Sequence, residues 1–413
     1  MSGVRGLVII GGGAAGIGAA MEAGRRSIDA LIVEALDRLG GRAHSIEWNG
    51  HKLDLGCTWM HSAERNSLRV EAERIGAQIN RSPTRWFQQF RNLGFPPEEQ
   101  KEAWSSFEAL RDRMRSDPPP SDRASDALEG GDPWNPMLNA LSGYINGAPL
   151  DEVSIADWSA YDNAASDQNL RLPGSYGSLI GELGATFERS LANPVIAVGR
   201  RKEGVEVRSE QGLIEAAGVI VTVPTASLRR IRFDPPIGGL LKLADQLPLG
   251  VADKLFLALD HPQDFPHDAH LLGNPYSCDT GSYFIRPMGM PVVEGFFGGT
   301  GARALEELDD DGAAALAIEE LAALLGSSVR SRLSLIGLSR WAHQPWIGGA
   351  YSHALPGCAD ARQSLLDAGD DRIAFAGEAV SAGDYSTAHG AFDSGAAAVR
   401  KLAATAKLQS ARG

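Results

Sequence analysis

Cysteine is scarce in this chain of 413 residues: three in all, Cys57, Cys278 and Cys358, far apart and forming no C-x-x-C pair. Neither a disulfide framework nor a zinc site is therefore expected, and a reducing cytoplasm is the simplest setting. Long hydrophobic runs are missing too. No stretch reaches about 18 uninterrupted apolar residues, so no membrane span is expected. The apolar N-terminal run is broken by glycines and leads straight into helical sequence, so no signal peptide is expected either. Positive charge is in deficit, with 39 Lys and Arg against 52 Asp and Glu and a formal net charge of −13. Such a surface releases no counterions from a phosphate backbone, which argues against nucleic acid as a partner. It is compatible with cationic substrates, although an acidic balance also serves solubility alone. No internal repeat is visible. What remains is an ordinary globular composition, 43% hydrophobic, with length for two domains.

The chain is organised around Leu7–Glu34, LVIIGGGAAGIGAAMEAGRRSIDALIVE. Four apolar residues predict a buried parallel strand, followed by a glycine-rich turn, an alanine-rich helix to about Gly24 and a second strand ending on Glu34. That is one βαβ unit. Gly11 and Gly13 allow a tight turn and backbone approach to a pyrophosphate, while Gly16 lets the helix pack closely on the strand. Free N–H groups at the helix start would receive the phosphates. Glu34, 18 residues beyond Gly16, is placed to accept hydrogen bonds from a ribose diol and to repel a 2′-phosphate. FAD or NAD therefore fits better than NADP.

Arg38, Gly40, Gly41 and Arg42 follow directly. The arginines either neutralise a pyrophosphate or are solvated loop charges, and the paired glycines admit a ligand against bare backbone. A hairpin is predicted to turn at Asn49-Gly50, and residues 64–76 read as a helix. From about 81 to 150 the chain turns to tryptophan, proline and charge, including RWFQQF, a helical stretch near 98–115 and three prolines at 118–120; this reads as an inserted domain. Asp151, Glu152, Asp157, Asp162 and Asp167 either attract a polyamine or form a solvated helical face, and the solvated face is the expected reading. Residues 172–192 predict a glycine-entered helix. Strands are then expected in NPVIAVGR, VEVRS and LIEAAGVIVTVP, the last stopped by Pro224, and again in VADKLFLALD and PVVEGFFGG. One helix at about 301–325, a strand near 333–340, a strand in RIAFAGE and a long small-residue helix from about 388 complete the chain.

In combination, G-G-G-A-A-G with Glu34, R-L-G-G-R, D-L-G-C-T-W-M-H, W-x8-A-Y-S and F-A-G-E…H-G-A-x-x-S-G resemble the flavin-containing amine oxidase family. That family includes monoamine and polyamine oxidases and the flavin histone demethylases. The motifs run in the family's order from residue 7 to about 400, with weak similarity across 81–170. The resemblance implies an α/β fold in which a Rossmann-type FAD-binding domain, glutathione-reductase-2-like, carries an inserted α+β substrate domain. The FAD-binding domain would comprise residues 1–80, 177–238 and 347–413, and the substrate domain 81–176 and 239–346.

The resemblance also implies roles. Gly11, Gly13, Ala15 and Gly16 would hold the pyrophosphate of a noncovalent FAD, Glu34 the adenosine ribose, and Arg42 with Gly41 the phosphates. Gly56, Cys57, Thr58 and Trp59 would run along the flavin, and the Val195 backbone would meet the adenine. Gly377, Glu378, Thr387 and Ala388 would serve the ribityl–pyrophosphate portion and the ring. Lys254, in a P-L-G-x-x-x-K pattern, resembles the lysine that holds a water beside flavin N5; read alone it is a strand-edge charge. A partly desolvated ammonium there would stabilise developing superoxide and peroxide charge. Trp341 and Tyr351 match a flavin-contacting tryptophan and one wall of an aromatic cage, and otherwise read as aromatic core. His61 is either cavity-facing or a satisfied structural histidine. Two positions depart from the monoamine oxidases: Ala350 stands where they carry the flavin-bonded cysteine, and Thr387 where they carry the second cage tyrosine.

The implied activity is oxidation of a primary or secondary amine, diamine or polyamine favoured, by hydride transfer to the flavin. The imine is then hydrolysed to an aldehyde, and O2 reoxidises the flavin with release of H2O2. The partners expected are a small amine and O2, with a homodimer left open. The nearest rival is an L-amino-acid oxidase, for which Arg85, Arg171 or Arg286 would hold the substrate carboxylate. A rival of another class is a binding protein resembling the GDP-dissociation inhibitors, without flavin redox.

Overall fold

A computed structural model describes residues 4–86, 88–405 and 408. Two sheets carry the architecture. The first has eight strands. At its centre Arg5–Ile10 lies parallel between Ala30–Val33 and Gly212–Val221. Ile373–Phe375 adds parallel to Gly212–Val221, and Val195–Arg201 and Gly204–Ser209 extend the sheet as an antiparallel pair. The opening run is apolar throughout because both of its faces are covered. Leu7 and Ile9 pack under the helices Ala14–Arg25 and Ala388–Thr405, while Val8 and Ile10 face a second cluster with Val219, Val221 and Leu365.

The two covering helices touch backbone to backbone. A Cβ on Gly395 would lie 1.9 Å from the carbonyl oxygen of Ala15, and one on Gly18 would lie 2.1 Å from that of Phe392. Only glycine fits at either crossing point.

The second sheet is antiparallel, in the order Ala269–Leu272, Ser282–Ile285, Val292–Gly298, Ala252–Leu259, Leu333–Leu338. Its strands alternate. Leu255, Leu257, Val293 and Phe297 pack against the helices Thr300–Glu306 and Asp310–Leu325, and Lys254, Phe284, Glu294 and Phe296 present the other face to a cavity. The helices Pro97–Ser116, Asn135–Asn146 and Ile155–Ala164 also reach that cavity.

Several elements differ from the sequence reading. The single helix expected at 301–325 is two, because Asp309 caps a new start, accepting from the Gly312 N–H at 2.8 Å. The helix expected over 172–192 is confined to Tyr176–Gly184, with Ser175 as its cap, and Arg189–Ser190 pairs instead with the strand Ala30–Val33. The solvated acidic face is also overturned in part. Asp151 and Asp167 are exposed, but Asp157 is 3% exposed and forms a two-pronged ion pair with the equally buried Arg362, 205 positions along the chain. Asp162 accepts from Arg111 at 3.0 Å and Arg115 at 2.8 Å.

Candidate active site

A continuous cavity of about 620 Å³ runs from the glycine-rich turn, between the two sheets, to the helices of residues 97–164. At its first end the wall is mostly backbone. Gly11 has a φ of +107°, and the carbonyls of Ile10 and Gly11 both accept from the Thr222 hydroxyl, at 2.9 and 3.1 Å. The helix Ala14–Arg25 begins at Gly13 without a side-chain cap, so the partial positive charge of its first turn faces the cavity. Gly11, Gly13, Ala15 and Gly41 all lie on the wall. Gly16 does not. A Cβ there would sit 1.9 Å from the Gly11 carbonyl oxygen, so Gly16 seats the helix on the turn and does not itself face a ligand.

Glu34 lies just past its strand, buried at 6% exposure, and accepts the N–H groups of Gly12 and, at 2.7 Å, Leu36. Burial raises its carboxyl above the ordinary range, an effect the two amides partly oppose. Arg38 turns away from the cavity and donates to the Gly41 carbonyl at 2.9 Å. Arg42 is on the wall and donates to Glu378 at 3.0 Å and to the Ala350 carbonyl. Glu378 also accepts from the Ser352 hydroxyl at 2.6 Å and the Ser386 N–H at 3.1 Å. Burial pushes the Glu378 carboxyl up, but Arg42, the Ser352 hydroxyl and Arg362 outweigh it and hold it below its usual value. Val195, Gly377, Thr387 and Ala388 are wall residues as well.

This end fits a dinucleotide. A Cβ on Gly13 would meet only the Gly40 carbonyl, at 3.9 Å, and one on Gly377 would meet nothing within 4 Å, so bare backbone faces open space there. An uncapped helix start for an anion, an arginine, and a buried acid with lone pairs toward the cavity supply the complementary chemistry. Arg230 also borders this end, its guanidinium 5.1 Å from the Trp346 ring. The sequence reading did not select it.

Side chains dominate the far end. Lys254 is 7% exposed; its ammonium donates to the Thr58 hydroxyl and to the Asp54 carbonyl at 3.2 Å and forms an ion pair with Glu294 at 2.9 Å. Trp341 is 6% exposed and packs with Leu53, Phe256 and Ile347. Its backbone N–H donates to Asp253 at 3.2 Å, and Asp253 accepts from the Ser339 hydroxyl at 2.7 Å. A Cβ on Gly56 would lie 3.4 Å from the Trp341 ring, which puts the D-L-G-C-T-W run beside it. Within that run, burial pushes the Cys57 thiol up to about 12, so it stays protonated.

Tyr351 donates its hydroxyl to the Tyr144 carbonyl, which leaves the ring edge-bound and the phenol pushed up by burial. The Thr387 hydroxyl donates to the Asp384 carbonyl at 2.7 Å and offers no ring to face Tyr351. His61 is on the wall with its Nδ1 2.7 Å from Asn169, and burial lowers its pKa to about 4, so it is neutral.

Three contributions were not picked out in the sequence. Trp86, Trp104, Phe107 and Tyr161 give the outer cavity an aromatic lining, with Trp86 set edge-on to Trp59 at 4.9 Å. Glu294 pairs with the lysine; an acid inside the apolar strand PVVEGFFGG was the available signal. Arg230 borders the opposite end, as noted. The three arginines considered for a carboxylate do not meet there. Arg85 is exposed, Arg171 pairs with Asp268 at 2.8 Å, and Arg286 donates to the Phe265 carbonyl at 2.8 Å.

Comparison with known proteins finds matches that span both ends of the cavity. Residues 166–403 match the family of flavin containing amine oxidoreductases, and residues 9–72 match an NAD(P)-binding Rossmann-like domain. Polyamine oxidase 4 of Oryza sativa subsp. japonica is 27% identical over 438 residues, covering 95% of this chain and 87% of that one. Polyamine oxidase 2 of Arabidopsis thaliana is 26% identical, covering 94% and 86%. Lysine-specific histone demethylase 2 of Homo sapiens is 25% identical, covering 96% of this chain and 53% of its own length. The structure of putrescine oxidase bound to putrescine superposes with a TM-score of 0.80 at 18% identity, over 98% of this chain and 100% of that one, a likeness of fold.

Proposed function

The chain belongs to the family of flavin-containing amine oxidoreductases, and from that premise we propose that it oxidises diamines or polyamines, using noncovalent FAD and O2. The observation that carries this reading is the charge state of the cavity wall. Its cations at the far end are engaged, Lys254 with Glu294 and Arg111 with Asp162, and aromatic faces surround them. Among the described residues a substrate carboxylate finds no cation in waiting, whereas an amine finds rings and the exposed Asp167. The amino-acid oxidase reading loses support on the same ground.

Bound FAD supplies a two-electron acceptor, taking the pair released with the amine's α-hydrogen and passing it to O2 to give H2O2. The chain's own residues bind, orient and exclude water. Gly11, Gly13 and the uncapped helix start take the pyrophosphate, Glu34 accepts the ribose hydroxyls, and Arg42, held by Glu378, neutralises phosphate charge. Trp341 and Tyr351 orient the amine and lower the cost of bringing it in unprotonated. Lys254 holds its positive charge where reduced oxygen species develop. Neutral His61 adds a hydrogen-bonding partner without repelling a cation. Ala350 on the wall has no group to bond to a flavin, so the cofactor is releasable by denaturation.

The test is an anaerobic panel of monoamines, diamines, polyamines and L-amino acids, following bleaching of the bound flavin. Diamines or polyamines should bleach it fastest. Bleaching by amino acids alone, or a colourless purified protein, would overturn the reading.

A further inference from the structure

An ammonium has three N–H bonds, and in this structure three oxygens lie within 3.2 Å of the Lys254 Nζ. Two are neutral and fixed to one run of chain, the Asp54 carbonyl and the Thr58 hydroxyl. The third, Glu294, is the only charged one. The pair spans adjacent strands: Lys254 sits opposite Phe296 and Glu294 opposite Phe256, which makes the two diagonal neighbours on one sheet face. Both are under a tenth exposed, yet both line the cavity. With Glu294 in place, the charge of Lys254 is matched by a carboxylate 2.9 Å away.

The nearby acids do not stand in for Glu294. The Asp54 carboxylate takes the hydroxyls of Ser45 and Ser175 and the Tyr176 N–H, at 2.6–3.0 Å. Glu378 is held by Arg42 and Ser352, and Asp162 by two arginines. Asp167 also lines the cavity but is exposed to solvent, so a cation entering the buried part of the far end competes with Lys254 for one carboxylate, and without that carboxylate two like charges would share a poorly hydrated space.

We infer that Glu294 is a partner-exchanging positioning residue: a cationic nitrogen of the bound amine takes it from Lys254, and the positive charge of Lys254 is thereby left unmatched beside the cavity. The inference rests on the amine reading above. A diamine, with one nitrogen neutral for oxidation and the other charged, drives the exchange; a monoamine that binds neutral does not. Occupancy by the right class of substrate thus arms the lysine, and the empty site keeps it paired.

The test uses the flavin-loaded enzyme and two amines without α-hydrogens, which bind but are not oxidised: 2,5-dimethylhexane-2,5-diamine and tert-butylamine. Their affinity is read from the perturbed flavin absorbance, without turnover. The enzyme is then photoreduced and mixed with O2 in the presence of each. In the wild type the diamine should speed reoxidation at least fivefold and tert-butylamine should not. In Glu294→Gln, diamine affinity should drop tenfold or more, while reoxidation without ligand should already be fast and insensitive to the diamine. Glu294→Asp should restore part of the ligand response, and it carries the test if the Gln variant does not retain flavin. Equal diamine affinity in wild type and Glu294→Gln overturns the inference. So does diamine binding that depends on Glu294 but leaves wild-type reoxidation unchanged. Failure of any diamine to bind or bleach the wild type sinks the amine reading itself, a distinct result.

Discussion

At the dinucleotide end of the cavity the wall is mostly backbone, with residues 10, 11, 13–15, 40–43 and 377 backed by Glu34; at the far end it is mostly side chains, many of them delivered by the second sheet and by helices of residues 97–164. The two ends also treat buried charge differently. Beside the first, Arg362 and Asp157 saturate one another and their neighbours: Arg362 also donates to the Ser352 hydroxyl at 2.9 Å and covers the Tyr385 ring at 3.8 Å, and Asp157 accepts the Ala354 N–H at 2.9 Å. At the second, Lys254 and Glu294 are paired at 2.9 Å but line the cavity. A buried ion pair with every lone pair and proton used inside the protein is a fixture joining elements. One bordering a cavity has a partner that a ligand can replace.

Four changes would break or sharpen that contrast. Gly16→Val forces a side chain into the Gly11 carbonyl, and the protein should purify without yellow colour and without activity; full flavin occupancy by absorbance would contradict a backbone-built end. Asp157→Ala leaves Arg362 buried and unpaired, and should lower stability by about 3–5 kcal/mol in a denaturant titration while the remaining folded enzyme keeps its flavin. Lys254→Met should slow reoxidation by O2 about 100-fold, the scale of losing one charge-stabilising group, with a smaller effect on anaerobic reduction. An unchanged reoxidation rate would take the lysine out of the chemistry.

The smallest effect concerns pH. His353 is buried beside the Arg362–Asp157 pair, with neither ring nitrogen partnered inside the protein, and burial lowers its pKa from 6.5 to about 4. The unfolded chain binds this proton below 6.5 while the folded one refuses it until about 4, so acidification favours unfolding across that window and not above it. Relative to His353→Leu, the wild type should lose up to about 1.4 kcal/mol per pH unit between those limits. Parallel stability curves for the two proteins would show that the histidine is not held neutral.

The same contrast explains what was legible. The βαβ unit, the Asn49-Gly50 hairpin and the order of the motifs depend on neighbours a few residues away, so periodicity and turn chemistry reveal them. Asp157 was misread because its partner lies on a helix 205 positions later, and a helix with acids at several positions looks solvated until that partner is known. Glu294 and Lys254 meet only through the register of two strands, which no local pattern encodes. The outer aromatic wall comes from the stretch where similarity to the family is weakest. The helix break at Asp309 is different: an aspartate before a new helical run is a capping signal, and the long alanine-rich periodicity that follows it masked that signal.

The glycine contact between the helices Ala14–Arg25 and Ala388–Thr405 bears on how the protein is made. It joins segments from nearly opposite ends of the chain, and the central strand Arg5–Ile10 likewise waits for Gly212–Val221 to pair. Contacts so distant in sequence fold slowly, because loop closure must precede any gain from them. The nucleotide-binding half, although its signature precedes the other motifs, is then among the last parts to be consolidated. Until it closes, its apolar strand edges are exposed to aggregation or to chaperones.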